Sequence, residues 1–330
     1  MKFGQTKRPW LWLPLLLASM ATLSKATNLA VILPQGQDFA NVLNGIKSEL
    51  GGAYSIIRIS DSLCAFPDSI ALLCKKKSIS GLVLMDTKAI LASKMMEKND
   101  SEILKMPKFI CMTLQVKAMT HELHNVAGIG FEVPGYTLLT GFRNISEKKI
   151  SQVAVFHRKA FSTEIATDAR LLEKEMIKVI PICIDCNSSQ KVDPPEAEKV
   201  MLNAFEDLVS KSKIDLFWIV ADNLVINNRT LVSFWLDKAK NAKIPNVAPI
   251  ETFAETKIGL ATFTAAPDYL ALGIQLAGQI TAVFEEGTPI STIGFEPLIS
   301  VKTTVNLKTA KEYDWPLNKK NLLSIDRIIN

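Results

Sequence analysis

Two periods alternate along this chain. Largely apolar runs of five to seven residues, rich in Ile, Val, Leu and Phe, occupy 28–33, 54–59, 81–85, 108–114, 151–156, 178–184 and 214–220. Runs this short are poor helices and predict strands buried on both faces. Between them apolar positions recur every three or four residues. Phe39, Val42, Leu43, Ile46 and Leu50 make one helical face, and further helices are predicted over 62–73, over 90–96, up to Glu175, and over 196–209. Alternating strands and helices predict α/β layers around a parallel sheet.

The stretch 214–287 carries two such units in succession. Its first strand ends at Asp222 and Asn223, and in open α/β sheets ligands sit at the carboxyl ends of strands. A carboxylate there can fix an ammonium, and an amide offers both a donor and an acceptor. Val232, Trp235, Leu236 and Ala239 follow at helical spacing, with Asn228 placed as N-cap. Next come a predicted strand over 258–263 and a turn over 264–266. Pro267 suits the first helical position and Asp268 the first turn. Leu270, Gly273, Ala277, Ile280 and Phe284 share a face whose small members permit close packing, and Gly287 suits the end of that helix. Residues 295–305 read as one strand and 307–329 as a polar-apolar tail.

The segments VADNLVINN, AKIPNVAPIE, IGLATFTAAPDYLALGIQLAG, FEEGTP and VNLKTAKEYDWPLN, together with NVAGI at 125–129, resemble consecutive motifs of a known family. It is the ABC-transporter substrate-binding family with a type I periplasmic-binding fold, in the group that includes tryptophan and tyrosine binders. The resemblance runs from about Asn28 to the C-terminus and is strongest after Asn125. It implies an α/β fold of two Rossmann-like lobes joined by a multi-crossing hinge, with lobe 1 over 27–148 plus 251–292 and lobe 2 over 149–250 plus 293–330. It further implies a ligand between the lobes, touched by the loop after the first strand (Gln35, Gln37, Asp38), by Thr87 at the start of a helix, by Ser162 and Thr163 in the second lobe, and by Asp222 and Asn223. Asp38 is equally placed to cap the helix after it, and Ser162 and Thr163 likewise. After the fourth strand the chain reads Leu114-Gln115-Val116 where the family continues into Thr-Asp-Pro, which bears on ligand specificity and not on fold.

The N-terminus bears on where the protein works. Lys2, Lys7 and Arg8 precede an apolar stretch over 10–23, and Ser24-Lys25-Ala26 offers small residues at a cleavage site. Residues 1–26 thus predict a secretory signal peptide and a periplasmic product, and without a cysteine before Cys64 no lipid anchor is expected. Cleavage would remove four of the 38 basic residues and none of the 33 acidic ones. The near-neutral remainder offers no basic block for nucleic acid or an anionic membrane. Cys64 and Cys74 can pair in an oxidising compartment, and the C-x-x-C at Cys183 and Cys186 reads as a strand end and not as a redox site that opens a helix. His121-Glu122-Leu123-His124 lacks the spacing of a zinc peptidase and reads as a surface turn. No nucleophile elbow, P-loop or complete dinucleotide fingerprint is present. The expected protein is therefore a monomeric receptor without catalysis, metal or cofactor. It would bind a small organic solute, an amino acid being one candidate, and serve an ABC permease or a membrane sensor kinase.

Overall fold

The computed structural model describes residues 26–186, 188 and 192–330, so the predicted signal peptide lies, but for Ala26, outside the described residues. Five parallel strands open the chain: β1 (Thr27–Leu33), β2 (Tyr54–Ser60), β3 (Gly81–Met85), β4 (Lys108–Cys111) and β5 (Val126–Ile129). Every residue of β3 and β4 is buried, as is β1 from Leu29 onward, because helices cover both faces of a parallel sheet. β2, at the sheet's edge, exposes Ser55 and Arg58.

The chain then crosses to a second layer. The helix Gly135–Ile145 packs against it, and β6 (Gln152–His157), β7 (Lys178–Cys183), β8 (Leu216–Trp218), β9 (Asn246–Ala248) and β10 (Phe263–Pro267) build it. From Asp268 the chain returns, and the helix Tyr269–Phe284 lies along the helix Gln37–Leu50 of the first lobe. β11 (Phe295–Glu296) then extends the first sheet beside β5. A third crossing leads to β12 (Val301–Asn306), antiparallel to β10, and finally to β13 (Arg327–Ile329). The sheets run β11-β5-β4-β3-β1-β2 and β13-β12-β10-β9-β8-β6-β7. The protein is an α/β structure with two mostly parallel sheets, the type I periplasmic-binding architecture.

Several elements depart from the sequence reading for identifiable reasons. Residues 258–263 are not a strand: Gly259 adopts a left-handed φ of 54° in a turn, and the strand begins at Phe263. Thr264 to Pro267, expected as a turn and a helix start, are instead paired with Val301 to Thr304. Strand pairing also moves the expected lobe boundaries, because β10 belongs to the second sheet and β11 to the first. The expected helix over 62–73 breaks at Phe66, into a tight turn (Asp61–Ala65) and a helix (Pro67–Lys76), since a residue before proline is driven out of the helical region. Leu231–Ala239 is wound with i to i+5 bonds, as in Lys240 N to Trp235 O at 3.0 Å. That winding rotates Phe234 and Trp235 into the core and leaves the expected core residue Val232 63 % exposed.

The structure decides the cysteine pairing that the sequence leaves open. Cys64, Cys74 and Cys111 are free thiols, so the Cys64–Cys74 pairing does not form, whereas Cys183 and Cys186 are joined by a disulfide at the end of β7. His121 and His124 lie in the turn after the helix Val116–Thr120, where His124 meets Glu97 at 3.1 Å and Glu122 pairs with Lys94 at 3.0 Å. No helix among the described residues is long and apolar enough to cross a membrane.

Candidate functional site

A cavity of about 730 Å³ opens where the two sheets face each other. Its lining comes from the carboxyl ends of strands on both sides. Leu114 and Lys117 follow β4 and Phe131 and Glu132 follow β5, while Val220 and Ala221 follow β8 and Pro249 to Thr252 follow β9. The crossings contribute Val133, Pro134, Ala266 and Pro267. A cavity at the strand ends and against the hinge is where this architecture binds ligands, since the loops there are free of sheet pairing.

Two close approaches shape it. Gly45 and Gly273 bring the helices Gln37–Leu50 and Tyr269–Phe284 into backbone contact: a Cβ on Gly273 would lie 2.1 Å from Val42 O, and one on Gly45 2.2 Å from Leu270 O. Their N-terminal ends thereby present Asp38 and Tyr269 to the cavity side by side. Burial, followed by the charge and hydrogen bonding of Asp38, pushes the Tyr269 phenol up to about 12. In the second lobe Gly135 lies flat against Trp218, where a Cβ would come within 2.2 Å of the indole. The Gly135 amide donates to Asp168 Oδ2 at 2.7 Å, which ties the first crossing to the helix Ser162–Lys174. Burial raises the Asp168 carboxyl above its ordinary value, and the Gly135 and Tyr136 amides partly oppose that.

Of the residues the sequence singled out, Asp38 and Thr163 line the cavity. Asp38 does not cap its helix, which starts behind Gly36 without a side-chain cap bond. Ser162 is the half-buried first residue of its helix, and like Asp38 it provides no cap bond. Gln35 and Gln37 are exposed outside the lining, with Gln37 Nε2 donating to Asn41 at 2.9 Å. Thr87 is exposed as well, and the helix amides expected to receive a ligand carboxylate are taken by Asp86, which accepts from Lys88 N at 2.6 Å and Ala89 N at 3.2 Å. Asp222 departs furthest from expectation. Its side chain is fully buried away from the lining, paired with Arg158 Nε at 2.6 Å and Nη2 at 2.5 Å, and it accepts from Leu224 N at 2.8 Å. Asn223 is exposed, its carbonyl accepting from Asn227 Nδ2 at 3.0 Å. Asp222 therefore holds the loop after β8 to the loop after β6, while its neighbours Val220 and Ala221 line the cavity.

The polar lining that the sequence reading omitted is mostly acidic: Glu132, Glu164, Asp168 and Glu251, beside Lys117, Thr167 and Thr252. Glu132 accepts from the Gln115 amide, so the residues that replace the family's Thr-Asp-Pro turn are held by a carboxylate from the next strand end. Phe131, Phe161, Trp218 and Tyr269 supply aromatic wall, with Phe131 and Tyr269 rings 6.3 Å apart.

No family model matches the sequence, and no curated protein matches it. Solved structures do. The chain is similar to the ligand-free, open structure of a substrate-binding protein with adhesive properties from Clostridium difficile, at 15 % identity and a TM-score of 0.66 over 93 % of this chain and 100 % of that one. It is also similar to an ABC domain in complex with L-Trp from Streptococcus pneumonia, at 13 % identity and a TM-score of 0.59 over 92 % and 100 %. A third similarity is to a conserved domain protein from Vibrio cholerae, at 14 % identity and a TM-score of 0.58. At these identities the likeness establishes the fold, which is that of ABC-transporter substrate-binding proteins of the type I class.

Proposed function

We propose that the protein is an exported solute receptor that traps a small organic molecule between its lobes and delivers it to an ABC importer. The observation that carries this reading is the cavity itself. It is built from strand ends of both lobes, it abuts the crossings, and about 730 Å³ suits a small metabolite. A solute touching both walls stabilises the form in which they are closest, and its leverage equals its differential affinity for the open and closed forms. A permease that recognises the closed form then receives loaded receptor. Asp38, Tyr269 and Phe131 serve from the first lobe, and Thr163, Glu164, Asp168 and Trp218 from the second. Asp222 acts by positioning the β8 loop.

A thermal-shift screen of the protein against amino acids, amines and related metabolites tests the reading. A true ligand at about 100 times its dissociation constant adds about 2.7 kcal/mol to stability. A solute that raises the melting temperature of the wild type and not of a Trp218→Ala variant supports the cavity as the site. If no small molecule shifts the melting temperature, or the shift survives loss of Trp218 undiminished, the receptor reading or its site is wrong.

A further inference from the structure

Resting on the reading of the cavity as a solute cleft, we infer that its ligand is an organic cation, an amine or quaternary ammonium without a carboxylate. Five carboxylates line the cavity, Asp38, Glu132, Glu164, Asp168 and Glu251, against one ammonium, Lys117. Glu251 is paired with Arg327 Nη1 at 2.8 Å, a guanidinium it shares with Glu255 at 2.6 Å. Four acids then face one exposed lysine, in a chain whose 38 basic and 33 acidic residues otherwise nearly balance. Clefts with low-dielectric walls and one sign of charge concentrate ligands of the opposite sign.

The aromatic wall fits the same ligand. Phe131, Trp218 and Tyr269 line the cavity with aromatic rings, while the Phe161 ring already meets the Arg158 guanidinium at 6.0 Å, and ring faces attract ammonium groups most strongly where water is excluded. Asp168 adds a carboxylate with only 8 % of the residue exposed, whose charge burial disfavours and a ligand cation would stabilise.

Most places for a ligand carboxylate are filled or blocked. No arginine or histidine lines the cavity. The amides at the start of the helix Gly135–Ile145 are taken by Asp168, and those at the start of the helix Tyr269–Phe284 by Asp268, which accepts from Leu270 N and Ala271 N. Of the helices that begin at the cavity without a side-chain cap, Gln37–Leu50 and Ser162–Lys174 carry acids in their first turns, Asp38 and Glu164, which already oppose the positive end of each helix dipole, whereas the single-turn helix Val116–Thr120 carries only Lys117. A zwitterionic amino acid would bring its carboxylate into this field with one flexible lysine to receive it.

Calorimetric titration with two matched sets tests the assignment: tryptamine, tryptophan and indole-3-propionate, then phenethylamine, phenylalanine and 3-phenylpropionate. Each set keeps the ring and its two-carbon arm and changes the charged groups it carries. The amine is expected to bind at least ten-fold tighter than the amino acid, with no detectable binding of the carboxylate. Asp38→Asn and Glu164→Gln are each expected to weaken the amine about ten-fold. Glu49→Gln, exposed at the far end of the same helix as Asp38, should leave affinity unchanged. An amino acid or carboxylate binding tightest overturns the cation assignment and leaves the receptor reading standing. Binding by none of the six also overturns it, and the metabolite screen then decides the receptor reading separately. Amine binding that is equally indifferent to Asp38, Glu164 and Glu49 overturns the role of the acidic wall.

Discussion

The contact between the helices Gln37–Leu50 and Tyr269–Phe284 predicts that one substitution, made at two glycines of one helix, has opposite effects. A Cβ at Gly273 would lie 2.1 Å from Val42 O, 2.9 Å from Ile46 N and 3.0 Å from Gly45 Cα, all of them backbone, so no side-chain rotation relieves the clash and the helices must separate by about 1 Å. Overpacking of this kind costs about 3 kcal/mol, and the better helix propensity of alanine returns about 1 kcal/mol. Gly273→Ala should therefore lose about 2 kcal/mol, a fall in melting temperature of about 4 °C for a chain of this size. Gly278, five residues further along the same helix, has nothing within 4 Å of its Cβ position. Gly278→Ala should keep only the propensity gain, about 1 kcal/mol and about 2 °C upward. Separating the helices also moves Asp38 from Tyr269, so Gly273→Ala should weaken solute binding and Gly278→Ala should not. Scanning calorimetry of the two variants beside the wild type reads the result. Equal shifts, or a stabilised Gly273→Ala, would refute the close-approach argument.

Other predictions follow from single contacts. Asp222→Ala should lower the melting temperature of the ligand-free protein, since it strands Arg158 and the Leu224 amide; with Arg158 one-third exposed, the loss is about 1–3 kcal/mol, and an unchanged melting curve would contradict the structural role. Alkylation under native, non-reducing conditions should modify Cys64 first, as the free thiol that is not buried, and full unfolding without reductant should give three modified cysteines by mass; five would mean the Cys183–Cys186 bond is absent. The Thr303 amide and hydroxyl hold the Asp326 carboxyl below the usual carboxylate range, so the folded form binds fewer protons than the unfolded chain. Its stabilisation is complete above the unfolded value of about 3.9 and is lost as pH falls through the folded value, so Asp326→Asn should lose less stability than the wild type between pH 6 and pH 3 in chemical denaturation.

What the sequence disclosed of the fold was what periodicity discloses. β1, β3 and the helix Gln37–Leu50 are long and strongly patterned, and the structure places them within a residue or two of the reading. β9 is three residues between Pro245 and Pro249, too short to show a period, and β10 is hidden because Thr264, Ala265 and Ala266 are small or polar residues buried by tertiary pairing. The candidate site was harder to read. Asp222 does stand beyond a strand end, as expected, but sequence position cannot say which way a side chain points, and Arg158, 64 residues earlier, claims it. Asp168 and Glu164 sit on a helix whose charged positions read as ordinary solvated face until the fold turns that face to the other lobe. Asp38 and Thr163 came from the family resemblance, and both do line the cavity.

The central claim is that two lobes close on a solute held between them. Small-angle scattering of the protein with and without a saturating amount of the tightest solute from the screen tests it most directly. The account predicts a smaller radius of gyration on binding, abolished in Trp218→Ala. Stoichiometric binding with no change in dimensions would contradict it.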